Sequence, residues 1–125
     1  ELKIGCDYNF DNYVYNVSKH SKIVRFSSNS DEELIDLESI KNKKLVLRYW
    51  CSGDRFKPLG MNGTQKISDY LINNKINLFE KDEQTVLTAD DQIIWVCGQR
   101  IDDSVKVNKS TKNVLRIKRK FKKVV

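Results

Sequence analysis

The sequence predicts an α+β domain, in which a β-sandwich-like core of short strands carries one or two short helices. Short runs rich in Val, Ile, Leu and aromatic residues recur along the chain and are separated by polar breaks, as in proteins built from strands. Only one segment has a clear helical spacing of apolar residues. A length of 125 residues with 39% hydrophobic residues suits a single domain, residues 1–125, with one modest core.

Alternating residues and flanking turns mark the predicted strands. The residues "SKHS" are expected to join a hairpin between strands at 13–17 and 22–26. The residues "ADD" are expected to form a tight turn between strands at 84–88 and 92–97. Alternation predicts two further strands, at 43–50 and 113–121.

The predicted helix lies in the sequence "TQKISDYLINN". Its apolar face has the spacing i, i+3, i+4: Ile67, Tyr70 and Leu71. Thr64 is expected to cap the amino end, and Asn73 or Asn74 to adopt the left-handed turn that ends the helix. A helix this short needs to pack against a sheet. Upstream, "LESIKN" is expected to form one helical turn.

Positive charge is concentrated at the carboxyl end. The chain has 23 basic and 17 acidic residues, and the last ten residues, 116–125, hold six of the basic ones and no acid. The tail therefore accounts for the whole excess of +6. Such an end is typical of a surface that contacts a polyanion, and equally of a solvated terminus. Alternation predicts one cationic face and one mostly apolar face: Arg116, Lys118 and Lys120 against Leu115, Ile117, Arg119 and Phe121.

Several classes of protein are disfavoured. No apolar run approaches the ~20 residues that a membrane span needs. Three widely spaced cysteines and a single histidine match no zinc motif, and they favour reduced thiols and a cytoplasmic location. No nucleophile elbow or nucleotide-hydrolysing loop is present, so we expect no catalytic residues and no metal site. We interpret the chain, which begins at Glu1, as a piece of a longer protein.

The residues "WCSGDRFKPLGMNGTQK", here the 50–66 loop, form the most unusual stretch. It contains the only proline and three of the five glycines. Two interpretations remain open. In the first, the loop feeds a helix amino terminus and its cations converge on a phosphate: Arg55, Lys57 and Lys66. In the second, the loop is a rigid connector whose apolar side chains plug the core: Phe56, Leu59 and Met61.

A wider pattern resembles the carboxy-terminal domain of bacterial tRNA(Ile)-lysidine synthetase. The first part of the match consists of Arg48, Trp50, Gly53, Asp54, Phe56, Pro58, Gly60, Met61, Gly63, Lys66, Ser68 and Asp69. The second part consists of Ile94, Trp95, Gly98, Arg100 and Asp102. The chain departs from the family pattern at Gln65, where a lysine is common, and at Ser104 and Val105, where Arg-Phe is usual.

The resemblance implies a role in tRNA recognition. The parent enzyme uses ATP and Mg to attach lysine to the wobble cytidine of the CAU-anticodon isoleucine tRNA, and its amino-terminal domain carries the catalysis. This chain lacks the S-G-G-x-D-S loop of that domain and needs no cofactor of its own. Its fold resembles a module also found in the β subunit of phenylalanyl-tRNA synthetase. The expected partners are tRNA, on its acceptor-stem side, and the catalytic domain.

Loop, motif and tail together supply the candidate RNA-binding residues. They are Arg48, Arg55, Lys57, Lys66, Arg100, Arg116, Lys118, Arg119 and Lys120. The alternative function is a protein-interaction or dimerisation module without RNA affinity, whose exposed strand edges pair with a second subunit to form a homodimer.

Overall fold

Antiparallel strands make up most of the computed structural model, which describes residues 1–21, 31–76 and 81–122. The single α-helix of this part, α1, spans Ile67–Asn73, and two 3₁₀ turns span Leu37–Ile40 and Asp103–Val105. The strands are β1 (Asp7–Phe10), β2 (Tyr13–Ser21), β3 (Glu32–Asp36), β4 (Leu45–Tyr49), β5 (Arg55–Phe56), β6 (Gln65–Lys66), β7 (Thr85–Ala89), β8 (Gln92–Val96), β9 (Arg100–Ile101) and β10 (Asn113–Phe121).

Two four-stranded sheets share the larger core. Their strand orders are β1-β2-β10-β3 and β4-β7-β8-β9, and β5 and β6 form a separate two-stranded ribbon. The inward residues of both sheets pack into one cluster that includes Tyr15, Ile35, Leu87, Trp95 and Leu115. Period-2 alternation is what allows each sheet to present one apolar face to the other. The expected α+β sandwich is therefore confirmed.

A second core lies between the helix, the 50–66 loop and the second sheet. Phe56 packs edge-to-face on Tyr70, with ring centroids 5.1 Å apart. The other members of this cluster are Ile67, Leu71, Val86, Ile93 and Val96. Helix α1 is thus stabilised by the sheet, as its length requires. This packing also fixes the position of the 50–66 loop.

Most of the predicted strands are present. The turn between β7 and β8 has two left-handed residues, Asp90 and Asp91, with φ of 47° and 70°. Strand β10 spans the predicted residues, and "LESI" forms a 3₁₀ turn. The prediction of a loop at "SKHS" is wrong, because these residues continue β2, which pairs with β10 over nine residues. The second strand of that predicted hairpin, 22–26, lies outside the described residues.

The predicted helix caps were also wrong. Thr64 does not cap α1; its hydroxyl accepts hydrogen bonds from Arg55 instead. The helix begins one residue after Lys66, and the Ile67 N–H donates to the carbonyl of Asp54 at 2.9 Å. A tertiary backbone contact therefore replaces the side-chain cap. At the other end the left-handed residue is Lys75, with φ of 58°.

Replacing Phe56 by alanine should destabilise the domain by about 3–5 kcal/mol, because the ring is 3% exposed and anchors the second core. Urea denaturation measures this free energy of unfolding. Met61→Ala is the matched control from the same loop, since Met61 is 46% exposed. It should change stability by no more than about 0.5 kcal/mol. Equal effects of the two changes would contradict the assigned packing.

One carboxyl is buried enough to change its protonation. Glu33 lies on the edge strand β3, opposite Ile117 of β10. Burial raises the pKa of Glu33 from 4.5 to about 7, against the opposing influence of the positive charge of Arg100. The folded chain therefore holds this proton more tightly than the unfolded chain. The associated stability is complete below about pH 4.5 and is lost as the pH rises through about 7.

Glu33→Gln should remove this loss. The variant should be less sensitive to pH between about 4.5 and 7, and above that range it should be more stable than the parent. Urea denaturation at several pH values measures the difference. The exposed Glu38 provides the control variant, Glu38→Gln. A parent and a Glu33 variant with the same pH dependence would show that the carboxyl stays ionised in the folded chain.

Candidate nucleic-acid interface

Two cations face each other across the β5–β6 ribbon. Arg55 is paired directly with Lys66, and both side chains are exposed. Like charges at directly opposite positions of an antiparallel pair are destabilising. The Arg55 guanidinium uses Nε and one terminal nitrogen to donate to Thr64 Oγ1, each at 3.3 Å. Its remaining donors and the exposed Lys66 ammonium are therefore available to an anion.

Two adjacent aspartates hold the middle of the 50–66 loop. Asp102 is 4% exposed, and its carboxylate accepts from the Lys57 N–H at 2.8 Å and from the Ser104 hydroxyl at 2.6 Å. Asp103 accepts from the Gly60 N–H at 3.1 Å. Both aspartates thus bind loop backbone more than forty residues away in the sequence.

Backbone contacts add to this attachment. The Leu59 N–H donates to the Ile101 carbonyl at 3.1 Å, and the Asp103 N–H donates to the Lys57 carbonyl at 2.7 Å. Arg100 donates from its guanidinium to the Leu59 carbonyl at 3.2 Å. Arg100 is exposed and thus combines a structural contact with a charge near the loop. The loop behaves as an extension of β9 rather than as a free connection.

The start of the loop is held by an arginine–carboxylate pair. Arg48 binds both oxygens of Asp54, at 2.8 and 3.1 Å. The Cys51 N–H also donates to Asp54, at 2.7 Å. Burial alone would raise the pKa of Asp54, but the hydrogen bonds from Arg48 and the Cys51 N–H lower it below its ordinary value. Arg48, a predicted RNA-binding residue, is therefore occupied in shaping the loop.

Lys57 is only partly available. Its ammonium lies 3.6 Å from Asp103, and its side chain is 39% exposed. The hydrogen bond from the Gly60 N–H lowers the pKa of Asp103 against the opposing effect of burial, with further lowering by Lys106 and Lys57. The carboxylate stays charged and offsets part of the positive charge of Lys57. Among the cations of the 50–66 loop, Arg55 and Lys66 therefore contribute most of the accessible positive charge.

The apolar side chains of the 50–66 loop do not all pack into the core, as the second interpretation of the loop expected. Phe56 is buried as expected, but Leu59 and Met61 are 37% and 46% exposed. Pro58 takes the other buried position and bridges to Asp102. Gly60, with φ of 86°, then turns the chain outward. The loop thus places two apolar side chains at the surface beside its cations.

The predicted cationic row on β10 is interrupted by acids. Arg116 forms an ion pair with Glu32 of β3. Lys118 and Lys120 are exposed, but they line an open cavity of about 720 Å³ together with three carboxylates: Asp7, Asp31 and Glu32. The positive charge of this face is largely offset locally. Of the tail, 116–121 is strand, and 123–125 lies outside the described residues.

Arg119, another predicted RNA-binding residue, has a largely buried side chain. Its side chain is 12% exposed, donates to Asp31 at 2.7 Å, and lies 3.8 Å from the ring centroid of Tyr13. A Cβ atom at Gly98 would overlap its guanidinium, and Gly98 has φ of 77°. The motif glycine at 98 therefore makes room for Arg119. Arg119, which the sequence predicts as an RNA contact, is therefore engaged in packing between the sheets.

One group of cations was missed by sequence reasoning. Lys3, Lys19, Lys41 and Lys43 line a separate cavity at the end of the sandwich where β4 begins. The signal that could have revealed it is the run "KNKK" at 41–44. It was overlooked because the net charge pointed to the carboxyl end.

Neither a metal centre nor a membrane span emerges from the described ranges. In residues 1–21, 31–76 and 81–122, no three His, Cys, Asp or Glu side chains group as metal ligands. No helix of this part has the length and apolar character needed to cross a membrane.

Fold and surface together define an α+β sandwich domain that presents a braced cationic loop. The chain belongs to the family described as the TilS substrate C-terminal domain, whose family model matches residues 45–118. The matched range contains the whole 50–66 loop, β9 and most of β10. The resemblance noted in the sequence is confirmed.

Individual relatives agree with this family. The chain is 34% identical over 106 residues to the tRNA(Ile)-lysidine synthase of Caldanaerobacter subterraneus subsp. tengcongensis, covering 85% of this chain and 22% of the relative. It is 39% identical over 74 residues to that of Bacteroides thetaiotaomicron, covering 59% of this chain and 17% of the relative. This chain thus spans about a fifth of the length of these relatives.

A solved structure supports the fold. The one described as the crystal structure of TilS C-terminal domain matches with a TM-score of 0.84 at 22% identity, over 99% of this chain and 96% of that chain. The agreement includes the amino-terminal strands that precede the family-model match.

Asp102→Ala should loosen the 50–66 loop and lower the stability of the domain. The change leaves the part-buried N–H groups of Lys57 and Ser104 without their acceptor, at a cost of about 1 kcal/mol for each such group. Urea denaturation should detect the loss, and hydrogen exchange should accelerate at the N–H of Lys57. Asp82→Ala is the control, since Asp82 is exposed. Unchanged exchange at Lys57 would contradict the role of Asp102.

Proposed function

We propose that this chain is the tRNA-recognition domain of a tRNA(Ile)-lysidine synthase and carries no catalysis itself. The support is its membership of the family and its relatives, which bear that enzyme's name. In this proposal the remainder of the enzyme uses ATP and Mg to attach lysine to the wobble cytidine. The present chain contributes affinity and orientation for the tRNA in the cytoplasm.

The observation that carries the proposal is the Arg55–Lys66 pair on the braced 50–66 loop. Two cations at directly opposed positions repel each other in the free domain. A phosphate between them removes that repulsion and accepts charge-assisted hydrogen bonds from both. Because Asp102 and Asp103 fix the loop backbone, little conformational entropy is lost when the phosphate binds.

Such a surface suits an RNA helix. A-form RNA hides its bases in a narrow major groove, so proteins recognise it mainly by shape and by contacts to phosphates and 2′-hydroxyls. Arg55 and Lys66 provide the phosphate contacts, with Arg100 and Lys57 nearby on the same attachment. Phosphate contacts set the position of a nucleic acid without reading its sequence. Discrimination between tRNAs would then come from shape and from the rest of the enzyme.

Available side chains support a non-catalytic role. The aspartates near the loop are already engaged with Arg48, backbone N–H groups or lysines. His20 shares a hydrogen bond with Ser18 at 2.8 Å, but in the described ranges no carboxylate orients the other ring nitrogen. A nucleophile–base pair without an orienting group or oxyanion donors is poorly equipped for catalysis.

Replacing Arg55 and Lys66 by glutamine should weaken tRNA binding. Each lost phosphate contact reduces the slope of log affinity against log salt by about 0.7–0.9, so the double variant should flatten it by about 1.4–1.8. Titration of the CAU-anticodon isoleucine tRNA over a salt series measures this slope. The exposed Lys75 gives the control Lys75→Gln, which should leave the slope nearly unchanged.

The dimerisation alternative gives a different result. It requires a stable dimer in sedimentation and no affinity of the parent chain for tRNA. A slope that stays the same in the Arg55/Lys66 variant would make the 50–66 loop a connector only.

A further inference from the structure

A cavity lined by lysines lies at the end of the sandwich where β4 and β10 begin. Its volume is about 570 Å³. Four exposed lysines line it, against one carboxylate, that of Glu38: Lys3, Lys19, Lys41 and Lys43. We use the name lysine cavity for this site. Its lysines come from three separate segments of the chain, so folding is needed to bring the charges together.

The turn that carries two of these lysines has a fixed backbone. The Lys43 N–H donates to the Ile40 carbonyl at 3.1 Å. The next residue, Lys44, donates its N–H to Asp90 Oδ1 at 2.8 Å and accepts from the Asp90 N–H at 2.9 Å. Asn42 adopts φ of 61°, a conformation that asparagine tolerates well. Lys41 and Lys43 are therefore displayed from a set position.

The charges of the lysine cavity are only partly offset, because four lysines line it against the single carboxylate of Glu38. Within the described ranges, ion pairs involve Asp31, Glu32, Asp54 and Asp103, and none includes a lysine of this cavity. Four ammonium groups around one opening raise the local potential and repel one another. A bound polyanion removes that repulsion. The same argument applies to the Arg55–Lys66 pair, but here it concerns a different part of the surface.

The lysine cavity is distinct from the 50–66 loop. Strand β4 starts at Leu45, which lines the cavity, and ends at Tyr49, just before the loop. The length of this strand alone separates the two sites by roughly 13 Å. One phosphate cannot occupy both, whereas an extended polyanion can.

The floor of the cavity distinguishes between possible polyanions. Leu2, Ile40 and Leu45 are buried there, and Ile4 is the large apolar side chain that is well exposed, at 49%. An apolar floor accommodates the methylene stems of lysines while their ammonium groups reach outward. Lysine is depleted from protein–protein interfaces, and it is a common point-charge ligand of phosphates. The composition therefore favours a nucleic-acid backbone over an acidic protein segment.

We propose that the lysine cavity is a second contact for the RNA phosphate backbone, separate from the 50–66 loop. The inference rests on the proposed tRNA-binding function and extends it to a two-point attachment. Two contacts on a rigid frame define the direction of an RNA helix across the domain, which a single contact does not. The second contact thus contributes orientation as well as affinity.

The test is the double variant Lys41→Gln/Lys43→Gln of this chain. Titrated with the CAU-anticodon isoleucine tRNA over a salt series, it should flatten the slope of log affinity against log salt by about 1.4–1.8. Its thermal midpoint should match that of the parent, since both side chains are exposed. Lys43→Gln and Lys75→Gln form a matched pair of single variants, and only the first should change the slope.

The variant in Arg55 and Lys66 separates this inference from the proposed function. If that variant flattens the slope and the Lys41/Lys43 variant does not, tRNA binding stands and the second contact is overturned. If the parent chain does not bind tRNA at all, both fail. Binding of a polyglutamate peptide that is lost in the Lys41/Lys43 variant would also overturn the inference and assign the lysine cavity to an acidic protein segment.

Discussion

The surface of this domain depends on the hydrogen bonds that the buried carboxylate of Asp102 accepts. A carboxylate with 4% exposure is stable only if its oxygens are well hydrogen-bonded, and here backbone N–H groups of two segments supply those bonds. One of these segments begins the short turn after β9, and the other is the middle of the 50–66 loop. The Asp102 carboxylate therefore caps the 3₁₀ turn Asp103–Val105 and also positions the 50–66 loop. The two-stranded β5–β6 ribbon is too small to be stable alone and relies on this attachment.

Charged residues in this domain divide into structural and available groups. Arg48, Arg116 and Arg119 are each bound to a carboxylate and help to hold strands or loops in place. Arg55 and Lys66 have no carboxylate partner within the described ranges. The planar, multidentate guanidinium of arginine suits fixed ion pairs, whereas the strongly hydrated ammonium of lysine favours contact with solvent. The net charge of the chain therefore overstates the cationic surface of β10 and understates that of the loops.

Much of the fold followed from pattern, because alternation reports directly on a two-sided strand. Strands β7, β8 and β10 and the apolar face of α1 were predicted in this way. The "SKHS" segment failed because pairing with β10 outweighs a turn-like composition. The prediction that Thr64 caps the helix was wrong because the Asp54 carbonyl accepts the hydrogen bond from the first N–H of the helix, that of Ile67. Local propensity does not encode such long-range contacts.

The candidate site was predictable only in part, for a similar reason. Arg55, Lys57 and Lys66 lie on one loop, so their proximity could be inferred from the sequence. The occupation of Arg48 and Arg119 by aspartates required the tertiary structure, since the partners of Arg119 lie far along the chain. The exposure of Leu59 and Met61 depended on which loop residues fill the limited space of the second core. The lysine cavity needed three segments to be placed together.

The close approach of Arg119 to Gly98 has an evolutionary consequence. Arg119 belongs to the first sheet and Gly98 to the turn that leads into β9 of the second, so the two sheets interlock at this point. A side chain at position 98 would overlap the guanidinium and displace it from its present contact with Asp31. Replacing either residue alone would therefore disturb the packing between the two sheets. Relatives that lack glycine at the position of Gly98 are therefore expected to carry a shorter residue in place of Arg119, and this co-variation would mark where the two halves of the sandwich evolved together.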